Sequence, residues 1–112
     1  MYAKQALQET ALIWDSLARS GSNEKEDAIE ETGLLHALHY TSKCPLCAHR
    51  DSTQGGCSSC VVWGEKDYSC WFTGKGEYWL WAHAGGTKER KYCAKTIADM
   101  AREALDKLET EK

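Results

Sequence analysis

Two CxxC hooks, Cys44-Pro45-Leu46-Cys47 and Cys57-Ser58-Ser59-Cys60, stand nine residues apart in this chain. Each hook can present two thiolate sulfurs from one tight turn, and two hooks complete the four-sulfur tetrahedron that a structural zinc prefers. A segment built this way takes its shape from ligation rather than from its own helix or strand preference. A closed four-thiolate site also keeps no open coordination position, so it shapes the fold without activating a water. Cys44, Cys47, Cys57 and Cys60 are therefore the expected zinc ligands. Iron is the runner-up, since a rubredoxin-type site uses the same four sulfurs, and an iron–sulfur cluster is the more remote reading.

Cys70 lies ten residues beyond Cys60, the separation that also divides Cys47 from Cys57, and can substitute for one of the four. His49 falls inside the same segment. His36 and His39 stand one helical turn apart just before the first hook, where boundary residues are the simpler reading. Cys93, on the last expected helix, reads as a core or boundary residue.

The ends of the chain are expected to be helical. Over residues 2–20, Ala3, Leu7, Thr10, Ala11, Trp14, Leu17 and Ala18 recur at three- and four-residue steps, and Gly21 supplies a stop. Asn23 with Glu26 fits a capping-box start for a second helix, with acidic residues in its first turn. That helix ends near Glu31 or continues across Gly33 to Tyr40, with a break or kink expected at the glycine. Residues 41–76 form the metal-binding loop, in which Val61-Val62-Trp63 and Tyr68 to Phe72 can pair as a short β-hairpin. Residues 77–83 fit a strand with Tyr78, Leu80 and Ala82 on one face, or a turn or two of helix, with helix the preferred reading. After Gly85-Gly86, Thr87 is a candidate N-cap for a helix over 88–109. Its stripe is Ala94, Ile97, Ala98, Ala101, Ala104, Leu105 and Leu108. The expected fold is mainly α. It is a single domain over residues 1–112, with two or three packed helices and an inserted zinc-knuckle or ribbon-like Cys₄ loop. An N-terminal helical pair fills residues 1–40, and an aromatic segment with the C-terminal helix fills 77–112.

Charge and aromatic placement bear on partners. The net charge is −3, and residues 1–40 carry seven acidic against three basic side chains. Four thiolates around Zn²⁺ would add about −2 to the middle of the chain. A duplex-DNA binder normally shows a basic domain, so nucleic acid is the less favoured partner. No apolar run approaches the roughly 20 residues that span a bilayer, so no membrane role is expected. The start lacks the apolar core of a secretory signal, so a cytoplasmic location is expected, where thiols stay reduced.

Eight of the eleven aromatic residues lie between Trp63 and Tyr92. A small domain cannot easily bury so many, and Trp79 and Trp81 are the candidates to reach the surface as partner-binding anchors. Lys88, Arg90, Lys91 and Lys95 crowd the start of the last helix, where the helix dipole is already positive. An acidic protein surface or a phosphate would relieve that crowding, so Lys88, Arg90 and Lys91 join the candidate partner surface. No GxSxG, Walker-type or Rossmann glycine pattern is present, and no enzyme activity is expected. The expectation is a zinc-stabilised binding module that recognises a protein. The alternative is a nucleic-acid binder using the basic helix start and exposed aromatics.

The order Cys44-x-Leu46-Cys47, Cys57-x-x-Cys60-Val61, Cys70, then Arg90-x-x-x-Ala94-x-x-Ile97 resembles a group of small five-cysteine proteins found mainly in bacteriophages. The resemblance covers roughly residues 44–105. Val61 stands where that group commonly has proline, and Trp71-Phe72-Thr73-Gly74 where it has a Thr-Pro-Tyr-like turn. The resemblance implies a ligand or packing role for Cys70, the cytoplasm of an infected bacterium as the working place, and a host protein as the partner.

Overall fold

The computed structural model of the chain describes residues 3–39, 74 and 76–110. Among the described residues, four α-helices and one 3-10 turn make up the regular structure, and no strand occurs. Helix α1 spans Ala3–Ser20 and α2 spans Lys25–Thr32, followed by the 3-10 turn Leu35–His39. Helix α3 covers Glu77–Ala82 and α4 covers Thr87–Thr110. The segment expected to form the cysteine loop and its hairpin, including Cys44, Cys47, Cys57, Cys60 and Cys70, lies outside the described residues, as does Tyr40.

Among the described elements, helices α1 and α4 make the largest helix–helix contact, and they run antiparallel. Lys4 pairs with Glu109 at 3.7 Å, Asp15 pairs with Arg102, and Arg90 Nε donates to the Gly21 carbonyl at 2.9 Å. Rising numbers on one helix thus meet falling numbers on the other. The expected stripes face each other across this contact. Leu7, Thr10, Ala11, Trp14 and Leu17 of α1 are buried, as are Ala94, Ile97, Ala98 and Ala101 of α4. The alanines let the helix axes approach closely.

Helix α1 buries more than one stripe. Ala6 and Ile13 are also in the core, and Glu9 and Ser16 are buried beside them. The cause is a second neighbour: α2 packs across α1, bringing Ala28 and Ile29 into the same apolar cluster. Buried Thr10 satisfies its hydroxyl locally by donating to the Ala6 carbonyl at 2.7 Å.

The turn between α1 and α2 departs from the sequence expectation. Glu24, not Asn23, holds the N-cap position, and its side chain makes no capping hydrogen bond. Ser22 braces the turn instead, without capping the helix. Its Oγ accepts from the Glu24 N–H at 3.1 Å and donates to Asp27 Oδ2 at 2.7 Å. At the other end, α2 closes in a Schellman motif at Gly33, with φ 76°. The Leu34 N–H reaches the Ile29 carbonyl at 3.2 Å and the Gly33 N–H reaches that of Glu30 at 3.3 Å. The expected break at Gly33 is therefore a full stop, and a separate 3-10 turn follows it.

Gly21 ends α1 with φ 72°, its N–H bonded to the Leu17 carbonyl at 2.8 Å. A Cβ there would collide with Thr87 Cγ2 and come within 3.1 Å of Lys91 Cε. Gly33 shares the left-handed conformation, yet a Cβ there would meet nothing within 4 Å. Gly21→Ala is therefore expected to cost more than Gly33→Ala. Each carries about 1–2 kcal/mol of backbone strain, and Gly21→Ala adds the displacement of α4. Urea midpoints of the two variants measure the difference. Equal losses would mean that α4 does not press on Gly21.

Residues 77–83 resolve the strand-or-helix ambiguity in favour of helix. Trp81 is 5% exposed and Tyr78 is half-buried, whereas Leu80 is 38% exposed. A strand would have placed Tyr78 and Leu80 on the same face. Burial of Tyr78 and Trp81 follows the three-residue step of a helix. Thr87 begins α4 inside its first turn, and the Gly86 carbonyl accepts from the Arg90 N–H at 3.0 Å. Glu89 reaches back to take the Gly85 N–H at 2.8 Å, which ties the Gly85-Gly86 turn to the helix.

Candidate functional site

The aromatic segment and the start of α4 carry the described residues expected to meet a partner. Trp81 belongs to the core, not to a docking face, which corrects the expectation that it supplies an exposed anchor. Its ring meets Trp14 at 4.9 Å and 86°, and Tyr78 at 6.0 Å and 81°, while Trp14 and Tyr78 meet at 5.9 Å and 72°. All three contacts are edge-to-face, the arrangement that the ring quadrupoles favour. Lys25, itself buried, places Nζ 4.2 Å from the centre of the Tyr78 ring, a cation–π contact. Trp81 Nε1 is buried without a hydrogen-bond partner among the described residues. That costs about 1–3 kcal/mol, which the ring's packing has to exceed.

Trp79 stands on the other side of α3 and is half-buried. Its ring stacks on His83 with centroids 4.2 Å apart and 15° between planes. His83 Nδ1 is 3.0 Å from the Trp79 carbonyl, so backbone and rings hold the pair together. Trp79 thus presents an edge that is already organised, with the His83 ring exposed beside it.

The basic group at the start of α4 divides by role. Arg90 is structural: its guanidinium bridges the Gly21 carbonyl at 2.9 Å and Thr87 Oγ1 at 3.2 Å, fastening the end of α1 to the start of α4. Lys95 is held by Asp99 at 2.7 Å, and that hydrogen bond, with the carboxylate charge behind it, raises the lysine pKa. Lys88 and Lys91 are exposed. One helical turn beyond Lys88 stands Tyr92, 74% exposed and the most exposed of the large hydrophobic residues described. Lys88, Tyr92, Lys95 and Asp99 follow four- and three-residue steps, so they share one outward face of the helix. The sequence pattern pointed to the lysines but not to Tyr92 as the aromatic among them. The signal available was its position, two residues before the first buried alanine of α4 and out of phase with that stripe.

A polar cluster that sequence reasoning missed joins α1 to α2 and to the 3-10 turn. Ser16 donates to Glu31 Oε2 at 2.6 Å, and Arg19 reaches Glu31 Oε1 at 3.0 Å. The Ser16 hydrogen bond, and then Arg19, hold the Glu31 carboxyl below its ordinary value of 4.5. The stability this group contributes is present above that ordinary value and is lost as pH falls through the lowered folded one. Glu31→Gln is therefore expected to reduce the steepness with which acid lowers the urea midpoint below pH 4.5. An acid limb identical to that of the parent chain would show that the carboxylate gains nothing from Ser16 and Arg19. Nearby, His36 Nε2 lies 2.9 Å from Glu9 Oε2, which also accepts from Gln5 Nε2 at 3.0 Å. The Glu9 side chain is only 8% exposed. His36 and His39 end up on the 3-10 turn, and His36 serves as the tie to α1.

Cys93 is half-buried on α4, and burial first, then the charge of Glu89, pushes its thiol pKa up. A raised pKa keeps the thiol protonated and weakens it as a nucleophile. Among the described residues no group of three or more His, Cys, Asp or Glu side chains could hold a metal ion, and no helix is long and apolar enough to cross a membrane. Comparison with known protein families, with curated proteins and with solved structures found no match to this chain.

Proposed function

We propose that the chain is a zinc-stabilised, non-enzymatic binding module whose helical frame presents one face of α4 to a protein partner. The carrying observation is Tyr92, 74% exposed between the lysines of that face. An aromatic ring with a polar tip makes an effective interface anchor at low entropic cost, and flanking ammonium groups favour an acidic partner surface. Trp79, stacked on His83, is the second anchor. The paired hooks at Cys44/Cys47 and Cys57/Cys60 support the metal, with Zn²⁺ the expected ion and Cys70 as a substitute ligand. The resemblance to phage proteins supports a role in the bacterial cytoplasm, as an accessory protein that inhibits or redirects a host protein.

The second reading, nucleic-acid binding, draws on the same face, since an exposed ring beside cations can stack a base and hold a phosphate. The two readings separate cleanly. A protein captured from bacterial lysate, purified and shown to form a stoichiometric complex should lose affinity at least tenfold with Tyr92→Ala and Lys91→Glu together. Arg90 is left intact because it holds the fold. Undiminished affinity of the double variant would remove α4 as the interface. Binding to single-stranded or duplex probes that weakens steeply with salt, with no protein partner, would favour the second reading instead.

A further inference from the structure

We draw no further inference here: the strongest candidate, the Glu9–Gln5–His36 side-chain cluster where α1 meets the 3-10 turn, is already accounted for as the tie between those two elements, and nothing in the structure shows a ligand that it would hold.

Discussion

Chain purified under reducing conditions is expected to carry one equivalent of zinc, and Cys44→Ser or Cys57→Ser to lower that content severalfold. Structural zinc contributes about 10–16 kcal/mol of apparent binding free energy in small Cys/His peptides near neutral pH. No packing interaction in a domain of this size approaches that value. Loss of one thiolate opens the tetrahedron and replaces a strong sulfur ligand with a weaker oxygen donor, so the remaining three ligands hold the ion far less firmly. Cys93→Ser serves as the control. Its thiol sits half-buried on α4 with a raised pKa, and its replacement should leave zinc content unchanged. Metal analysis by mass spectrometry, paired with a colorimetric chelator titration, reads both outcomes. The described apolar cluster comes from α1, α2, α3, α4 and the 3-10 turn. A chelator is accordingly expected to strip the ion while much of the far-ultraviolet helical signal survives. Reduced protein that is metal-free as isolated and as resistant to urea as any zinc-loaded sample would end the proposal.

Trp14→Ala is expected to remove about 3–5 kcal/mol of stability. Native domains hold only about 5–15 kcal/mol in total, so the variant would stand near or beyond half unfolding at modest urea. Trp14 is 2% exposed and lies where three helices converge. It packs in the α1–α4 contact and carries two edge-to-face partners on α3, Tyr78 and Trp81. Each such ring pair is worth about 0.5–1.5 kcal/mol beyond area burial. Truncation therefore leaves a cavity and strands α3, a six-residue helix too short to persist alone. Tyr92→Ala, at an exposed ring on the same bundle, should fall within about 0.5 kcal/mol of the parent chain. Urea midpoints followed by tryptophan fluorescence and by circular dichroism measure both variants. A Trp14→Ala loss under about 1 kcal/mol would show that α3 is held by something other than this ring.

The helices at the two ends of the chain were legible because periodicity reports directly on burial. Ala94, Ile97, Ala98 and Ala101 follow the 3.6-residue repeat without interruption, and each is buried. Gly21 was legible as a stop and Gly33 as a break for a similar reason, since a left-handed residue favours glycine wherever it occurs. The interhelical turn was less legible. Ser22, Asn23 and Glu24 all stand beside the start of α2, and local chemistry alone favoured Asn23. The structure employs Ser22, consistent with α2 being positioned from outside the turn by Lys25 against Tyr78 and Ile29 in the core. The exposed basic face of α4 was half legible: four basic residues marked that turn of the helix, but not that Arg90 is bound to Gly21 while Lys88 and Lys91 stay exposed.

The chain's own pattern was sufficient to determine that the described residues are mainly helical and where the first and last helices lie, and it carries the cysteine spacing on which the zinc proposal rests. Those properties depend on neighbours within a few residues, so they are written locally. Only the tertiary structure decided that Trp81 is core and Tyr92 surface, and that Gly21 has no room for a Cβ. It likewise decided that Glu9 and Ser16 spend their polarity on His36 and Glu31. Each of those outcomes is settled by a residue distant in sequence lying across a helix contact. The direction in which α1 and α4 cross, and what α2 and α3 then cover, is a property of packing that no local window contains.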